Sequence, residues 1–433
     1  DLVVNAGIRF DYFDPNTEAP EDWNNVWLEF GKNRGIDRNP ASSYMDFKID
    51  EFNASVGWHD SLGVNDAEIE FWNGALEDTV NTSIRDNYNS RLSGKYDKVN
   101  AYSFFSPRIG FSFPVTDQTK FHAQYGKFTQ HPVLSNLYLS DTALSADLTQ
   151  GNATVSGNPS LKPEETTQYE VGFTQQIGIS AALDITGFFK EVRNYTMLVN
   201  RLDGHVNGNP QVWAQYQNGD FGIVKGLSFN LNMRRVKGIM TNVSYTVSFA
   251  EGTGSDAASN FNIAWIGDNY PTTINPLEYD QRHTGSVMVD YRSDKQSGLF
   301  ADMGMNLLYQ FGSGTAYTPA QIYSVVHDRD WLTPVASINS AYKPWTSTLD
   351  LKINKGLKLA GYRTTIYLLV NNLFNTNNVD EVYAGSGEAG TDAWLNTSNG
   401  KAWVDGHGNG VAYYNAKISD PRNWDAPRQV RLG

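Results

Sequence analysis

Hydrophobic and polar residues alternate along many stretches of this chain, beginning at its first residues. Over residues 2–12, one face of an extended chain carries Leu2, Val4, Ala6, Ile8, Phe10 and Tyr12, and the other carries Asn5, Gly7, Arg9 and Asp11. Because the side chains of a strand point alternately to its two faces, this pattern predicts a strand with one apolar face. The alternation recurs over residues 168–174, 227–234, 242–249, 299–311 and 349–353.

The number and length of these stretches predict an all-β fold, an antiparallel transmembrane β-barrel. Roughly twelve strands of about ten residues or more are expected, which suits strands that cross a membrane at a tilt. Short turns are predicted at residues 116–117, 177–178, 236–238, 293–295 and 355–356, and they alternate with long polar connections at 14–101, 131–164, 200–219, 251–280, 312–343 and 375–426. Outer-membrane barrels sort their connections in this way, into short periplasmic turns and long extracellular loops. A soluble β-protein with large insertions is the alternative.

The composition narrows the range of functions. Of 433 residues, 34 are Lys or Arg and 47 are Asp or Glu, which gives a net charge of -13. This acidity argues against nucleic-acid binding, which depends on neutralising phosphates, and weakly against an anionic ligand. The chain has no cysteine, so disulfides, thiolate metal sites and a cysteine nucleophile are excluded. No stretch approaches about 18 consecutive apolar residues, so a membrane-spanning helix is excluded as well.

Six segments contain residue combinations that a simple alternation of polar and apolar residues does not require. They are SPRIGFSFP at residues 106–114, YGKF at 125–128, GNPSLKPEET at 157–166 with YEVGF at 169–173, EYDQRH at 278–283, GSGTAYTP at 312–319 and VNNLFNT at 370–376. In this order they resemble the TonB-dependent receptors, in particular their Oar-like branch, and the resemblance extends from residue 1 to residue 433. Read without the resemblance, they predict architecture, because their prolines lie where a strand begins or a loop ends and no ladder donor is needed.

The resemblance implies a molecule larger than this chain. Receptors of this type hold an N-terminal plug, preceded by a TonB-binding segment, inside a barrel of about 22 strands. Residues 1–433 are therefore expected to be the C-terminal part of the barrel, with the plug, about ten early strands and any carboxypeptidase-regulatory-like domain outside the chain. A half barrel would leave unpaired N–H and C=O groups in lipid at two edges. Another region of the polypeptide, or less simply a separate chain, is expected to complete it.

A search for catalytic and metal-binding patterns predicts that the protein is not an enzyme. The histidines show no His-Glu-x-x-His spacing, and the glycine-rich run GSGEAG at 385–390 lacks the strand and helix of a dinucleotide site. DGHVNG at 203–208 and DGHGNG at 405–410 imitate half of a calcium loop, but Ala214 and Ala416 stand where an EF-hand needs glutamate. We expect no cofactor and no metal. A looser loop-bound calcium around Asp256, Asp268 or Asp392 stays open as the alternative.

Aromatic residues in the predicted outer loops are the candidate ligand-binding residues. Flat rings stack on sugars and anchor peptides, although several rings are also expected to pack loops together or to form an aromatic girdle. The candidates are Trp23, Trp27, Trp58, Trp72, Trp213, Trp265, Trp331, Trp394 and Trp403.

These expectations combine into one function and two alternatives. The resemblance implies an outer-membrane receptor of a Gram-negative bacterium that binds a bulky ligand, an oligosaccharide or a peptide, at its outer loops. Import would use energy supplied by the TonB complex through the absent plug. Other expected partners are outer-membrane lipid and a surface lipoprotein or other envelope protein, but no nucleic acid. The alternatives are a structural or adhesion-type barrel subunit of an envelope complex without transport, and a passive porin.

Overall fold

The computed structural model of the protein describes residues 1–20, 96–138, 155–206, 209–259, 273–294, 298–326, 333–359 and 361–433. In chain order its strands are β1 (Val3–Phe13), β2 (Glu18–Pro20), β3 (Tyr96–Lys98), β4 (Tyr102–Pro114), β5 (Thr119–Gln130), β6 (Val155–Ser156), β7 (Glu164–Ile177), β8 (Ala181–Val206), β9 (Asn209–Val236), β10 (Ile239–Gly252), β11 (Asn275–Pro276), β12 (His283–Arg292), β13 (Met303–Gly312), β14 (Ala316–Tyr317), β15 (Ala341–Tyr342), β16 (Thr346–Leu359), β17 (Tyr362–Asn371) and β18 (Gln429–Leu432).

The main sheet contains fourteen strands, and twelve of them form one continuous antiparallel path. Their order is β1-β4-β5-β7-β8-β9-β10-β12-β13-β16-β17-β18, so each long strand pairs with the next one along the chain. The short strands β6 and β11 pair with β9 and β10, while β2 pairs with β3 and β14 with β15. The predicted fold class, an antiparallel barrel wall of about twelve strands, is confirmed.

Helical structure is confined to short segments in the described ranges. The α-helices are α1 (Leu134–Leu137), α2 (Ser398–Asp405) and α3 (Gly410–Ile418), and single 3-10 turns occur at Gly298–Phe300, Trp394–Asn396 and Pro421–Asn423. Within this part of the chain, no helix is long and apolar enough to cross a membrane.

The sheet has an apolar face and a polar face, as the alternation predicts. On the apolar face, register partners place Phe10 opposite Phe105 and Phe121 opposite Phe173, with ring centroids 5.1 Å apart in both pairs. These side chains lie at the surface, and 55% of Phe10 is exposed. An apolar surface that continues across neighbouring strands needs an apolar environment, which lipid provides.

The connections are sorted by length between the two ends of the sheet. Tight turns join β4 to β5, β7 to β8 and β9 to β10 at one end of the sheet, which we call the turn end. Gly178, Lys237 and Gly238 adopt positive φ values in these turns, of 57°, 50° and 86°. At the opposite end, the loop end, long connections follow β5, β10, β13 and β17. The predicted sorting into short turns and long loops is confirmed for these connections.

Two predicted connections are wrong in position. The segment 200–219 is not a loop, because β8 and β9 stay paired from Ala181 and Met233 out to Val206 and Asn209, with irregularities near Tyr195 and His205. The predicted turn at 355–356 lies inside β16, where Gly356 pairs with Thr365 and its N–H donates to the Asp302 carbonyl oxygen over 2.9 Å. That strand continues to Leu359, and Gly361, with φ of 87°, makes the turn. The predicted strand at 299–311 begins at Met303, after a 3-10 turn.

The sheet is open at both edges. Within the described residues, β1 pairs only with β4, and β18 pairs only with β17. Each outer edge therefore presents backbone N–H and C=O groups that another strand can pair with.

Candidate functional site

Two long connections pack together at the loop end and form one folded unit, which we call the outer cap (described residues of 313–345 and 372–428). Its core contains Trp394, Tyr414 and Ile418, all buried, with Val325 from the first connection packed against them. Asp392 joins the two connections, because its carboxylate accepts hydrogen bonds from the Tyr414 hydroxyl at 2.5 Å and from the Val325 N–H at 3.3 Å. The cap therefore has its own small core above the sheet.

The VNNLFNT segment fixes the point where the cap leaves β17. Asn372 and Asn375 both adopt left-handed backbone conformations, with φ of 52°, which asparagine tolerates better than most residues. The Asn372 side chain exchanges hydrogen bonds with the Thr376 backbone at 2.8 and 3.0 Å, and the Asn375 side chain accepts from the Arg428 N–H at 2.9 Å. This segment closes the base of the last loop, which agrees with the structural interpretation of the motif.

The EYDQRH segment joins the cap to β10. Asp280 is 2% exposed, and its carboxylate accepts from the Ala250 N–H at 2.8 Å and from the Tyr342 hydroxyl at 2.7 Å. The Arg282 guanidinium lies over the Tyr342 ring, 4.7 Å from its centroid. A buried carboxylate that accepts two hydrogen bonds holds the loop against the strand, so Asp280 has a structural role rather than a ligand-binding one.

The GNPSLKPEET segment is clamped to the part of the β8–β9 hairpin that projects beyond β7. Leu161 is fully buried, and the Asn218 side chain pairs with the Lys162 backbone in both directions, at 2.8 and 3.0 Å. The hairpin thus supports the segment through which the chain returns to the sheet.

A crevice of about 250 Å³ lies beside this clamp. Its lining includes Glu164, Tyr195, Asp256 and Tyr279, and the two tyrosine hydroxyls are 3.4 Å apart. Burial raises the pKa of Glu164, and burial together with the contact to Tyr195 raises the pKa of Tyr279. The crevice therefore disfavours the charged forms of Glu164 and Tyr279.

A second cavity, of about 440 Å³, lies on the polar face of the sheet near the loop end. We give the name hydroxyl shelf to the lining residues with polar side chains on the polar face of the strands; they are Ser244, Thr246, Thr284, Ser286, Gln310, Thr346 and Thr348. They lie on four neighbouring strands, β10, β12, β13 and β16, and form two adjacent rows in the register. Asn378 and Asp425 line the cavity from the base of the outer cap.

None of the seven shelf side chains carries a formal charge, and most of them can form further hydrogen bonds. The Ser244 and Ser286 hydroxyls bond to each other at 2.8 Å. Side-chain hydrogen bonds are not found, among the described residues, for the other five members, Thr246, Thr284, Gln310, Thr346 and Thr348. Hydroxyl and amide groups act as donors and acceptors, so the shelf can bind a ligand with many uncharged polar groups.

The structure brings none of the predicted tryptophans with a described side chain to the shelf. Trp394 is 8% exposed and stacks on Tyr414 at 5.1 Å, and Trp403 stacks on His407 at 4.5 Å. For Trp213 only the backbone, in β9, is described. Trp23, Trp27, Trp58, Trp72, Trp265 and Trp331 lie outside the described residues. Ligand contact by these tryptophans stays a prediction.

The sequence reasoning overlooked two exposed tryptophans and the shelf itself. Trp345, 60% exposed, stacks on His283 at 5.4 Å, and Trp424, 41% exposed, precedes Asp425 of the shelf cavity. The sequence contains only part of the information needed to predict the shelf. Alternation places Ser244 and Thr246 on one polar face, but it does not reveal which strands lie beside them.

Loop-bound calcium also stays a prediction. Asp256 accepts a hydrogen bond from the Ala258 N–H at 2.7 Å, both oxygens of Asp392 accept from protein donors, and Asp268 lies outside the described residues. No cluster of three His, Cys, Asp or Glu side chains suited to a metal is found in the described part of the chain.

The chain was compared with known proteins at the level of family, sequence and structure. The model of a family described as TonB dependent receptor-like, beta-barrel matches residues 1–373. No curated protein sequence matches the chain significantly.

Several solved structures are similar to the chain. The ferric-catecholate import receptor Fiu from E. coli K12 has 15% identity and a TM-score of 0.40, with 66% of this chain and 33% of that chain covered. FpvA of P. aeruginosa bound to a heterologous pyoverdine has 11% identity and a TM-score of 0.45, with 77% and 33% covered. HasR of Serratia marcescens, in complex with its hemophore HasA and heme, has 19% identity and a TM-score of 0.42, with 66% and 39% covered.

The chain spans roughly a third of the length of these solved structures. The family model, in contrast, covers well over half of the chain and extends from β1 to the base of the last loop. Together with the twelve-strand antiparallel path of the main sheet, this match shows that the chain belongs to the TonB-dependent receptor family and contributes to its β-barrel.

Proposed function

We propose that the chain is the C-terminal part of an outer-membrane TonB-dependent receptor of the Oar-like branch, which binds a bulky extracellular ligand at its loop end and imports it. The ligand is an oligosaccharide or a peptide. The TonB complex acts through a plug that lies outside these residues, and it supplies the energy for passage along the polar face. The proposal assigns no catalytic step to the chain.

The observation that carries this proposal is the position of the hydroxyl shelf. It lies on the polar face directly below the outer cap, where a ligand that enters between the long loops first meets the barrel wall. Asn378 ties the cap to this wall, because its amide accepts from the Ser347 N–H at 2.9 Å and donates to the Ser347 carbonyl oxygen at 3.0 Å. The volume of this cavity, about 440 Å³, lies in the range of small-molecule binding sites.

The open edges support the assignment to one part of a barrel. A membrane barrel needs every backbone group paired, since an unpaired N–H or C=O in lipid costs several kcal/mol. The free edges of β1 and β18 in the described residues therefore require further strands. The exposed apolar face is the surface proposed to contact outer-membrane lipid, and the outer cap is the surface proposed to meet a surface lipoprotein or other envelope protein.

Two measurements test this function without knowledge of the ligand. The intact mass of the denatured native protein is expected at about twice 48.3 kDa or more. Depletion of solutes from the culture medium is then compared between wild-type cells and a deletion strain, with and without an uncoupler. We expect a solute that only energised wild-type cells remove. A native mass of 48.3 kDa, or no such solute, contradicts the proposal.

A structural or adhesion-type barrel subunit is the second candidate, and the outer cap favours it. The cap has a packed core of its own, as an interaction module does. Such a subunit would give the same high mass and would retain an envelope protein on affinity purification, yet the medium assay would show no energised depletion.

A further inference from the structure

We propose that the hydroxyl shelf is a binding site for a neutral oligosaccharide. This inference rests on the proposed function and specifies the chemical class of its ligand, which the outer-loop tryptophans leave open between sugar and peptide.

The hydrogen-bonding groups of the shelf are open to a ligand. Five of its polar side chains have no hydrogen-bond partner among the described residues, and four of the five are threonines of intermediate exposure. Their polar atoms are not among the buried unpartnered atoms of the described residues, so water reaches them. A ligand that offers both donors and acceptors can replace this water without leaving a hydrogen bond unmade. Sugar hydroxyls have this dual character, as the threonine hydroxyls do.

The shelf is uncharged. None of its seven residues is ionisable, and among the described residues Asp425 of the cap is the one charged residue that lines the cavity. Asp350, the next polar-face residue of β16, is engaged by the Asn372 N–H at 2.8 Å. A charged peptide or a polyanion would be transferred from water to a wall without compensating charges, which is unfavourable. The wall therefore selects for uncharged ligands.

The shelf is elongated. Its two rows cross four strands, so it is about 14 Å long at the usual spacing of neighbouring strands. Gly312 lies between Thr284 and Thr346 in one row, and the Gln281 amide occupies the space that a side chain would take there. This amide donates to the Ser313 carbonyl oxygen at 2.6 Å, which leaves its own carbonyl oxygen to accept from a ligand. An elongated cavity of this size suits a short chain of sugar rings.

The test uses the full-length receptor purified from its native membrane. Material that co-purifies is released by denaturation and identified by mass spectrometry, and the protein is titrated with short neutral glucan, mannan and xylan oligosaccharides. Acidic oligosaccharides and short peptides serve as comparison probes. We expect neutral sugar to be released and at least one neutral oligosaccharide to bind more tightly than every comparison probe.

The variant Thr284→Val, Thr348→Val removes two shelf hydroxyls while it keeps the shape of both side chains. We expect its affinity for the neutral sugar to fall about tenfold or more, since each lost hydrogen bond weakens binding severalfold. Thr365→Val is the matched control, because Thr365 belongs to the polar face of β17 near the turn end, opposite Gly356. Its affinity is expected to stay within about twofold of wild type.

Three results overturn the inference. They are a peptide or charged ligand released and bound in place of a neutral sugar, no binding by any neutral oligosaccharide, and a double variant that binds as tightly as wild type. Energised depletion of a non-sugar solute would refute the sugar specificity and leave the proposed function intact. Absence of any energised depletion would refute the proposed function itself, so the two failures are distinguishable.

Discussion

The two ends of β16 show how the polar face changes along a single strand. Near the loop end it presents Thr346 and Thr348, which belong to the uncharged shelf. Near the turn end the same face presents Lys352 and Lys358, both exposed. Chemical character therefore changes from neutral to cationic over about 40 Å of extended chain or less. A ligand that moves along this wall meets two different environments.

The turn end is cationic beyond β16. Lys352, Lys358, Arg363 and Arg431 form what we call the cationic patch, and no ion pair of theirs is found in the described ranges. Lys358 lies directly opposite Arg363 in the register, and like charges in that position destabilise a sheet.

Total charge alone does not describe the polar face. The net charge of -13 argues weakly against an anionic ligand, but the charge is not spread evenly. The acidic groups Glu164, Asp220 and Asp256 lie at the loop end, whereas the turn end of β16–β18 is basic. Local charge on the polar face, not the sum over the chain, determines which ligand each region accepts.

The largest expected effect comes from removing the core of the outer cap, which covers the hydroxyl shelf but not the cationic patch. Trp394→Ala is expected to destabilise the cap by about 3–5 kcal/mol, as other buried Trp-to-Ala changes do. Limited proteolysis of intact membranes should then cleave within residues 372–428, and binding at the shelf should be lost. Trp345→Ala, which removes a ring that is 60% exposed, is the control. Unchanged cleavage would show that the cap does not depend on this core.

A smaller effect is expected from the buried carboxylates at the loop end. Burial raises the pKa of Asp220, which is 5% exposed, and its Oδ2 has no hydrogen-bond partner. A raised pKa in the folded state means that the stabilising contribution is complete below the ordinary carboxyl pKa and is lost as the pH rises through the raised value. The projecting β8–β9 hairpin should therefore loosen with rising pH.

Asp220→Asn is expected to stabilise the hairpin by about 1 kcal/mol near neutral pH and to have little effect in acid. The asparagine carbonyl can still accept from the Thr253 hydroxyl, which lies 2.8 Å from the Asp220 carboxylate. Hydrogen exchange of the hairpin amides at about pH 3, below the ordinary carboxyl pKa, and at about pH 8 measures the effect. Asp220→Ala, which removes that acceptor, should be destabilising at both values. Equal protection of wild type and Asp220→Asn at the higher pH would contradict the prediction.

The strands at the loop end and at the turn end can be predicted from the sequence, because alternation is a pattern among neighbouring residues. The polar-face residues Ser244 and Thr246 alternate with Val243 and Tyr245, so the period of two identifies both the strand and its face. The loop and turn ends also follow, since connection lengths can be counted along the chain. These features need no knowledge of distant contacts.

Neither the shelf nor the cap could be derived in the same way, because both depend on register and long-range packing. Ser244 meets Ser286, which is 42 residues away, and Val325 packs near Trp394 in the core of the cap. The sequence predicts a loop at 200–219 because polar residues, glycine and proline interrupt the alternation there, whereas cross-strand pairing carries β8 and β9 through most of this segment. The burial of Trp394 in the cap depends on long-range packing in the same way.

The smallest effect concerns the cationic patch and sharpens the contrast with the shelf. Lys358→Glu replaces a like-charge pair with an opposite-charge pair across β16 and β17. We expect the full-length barrel to gain about 0.2–1 kcal/mol in unfolding free energy, measured by denaturant titration in lipid vesicles. The gain should shrink in high salt, because exposed charges are screened. Thr348→Glu on the same strand is the counterpart, and it should bring no such gain because Thr348 faces Gln310 rather than a cation. If both variants gave the same change at both salt concentrations, the two ends of β16 would be electrostatically equivalent, and the division of the polar face into a neutral and a cationic region would fail.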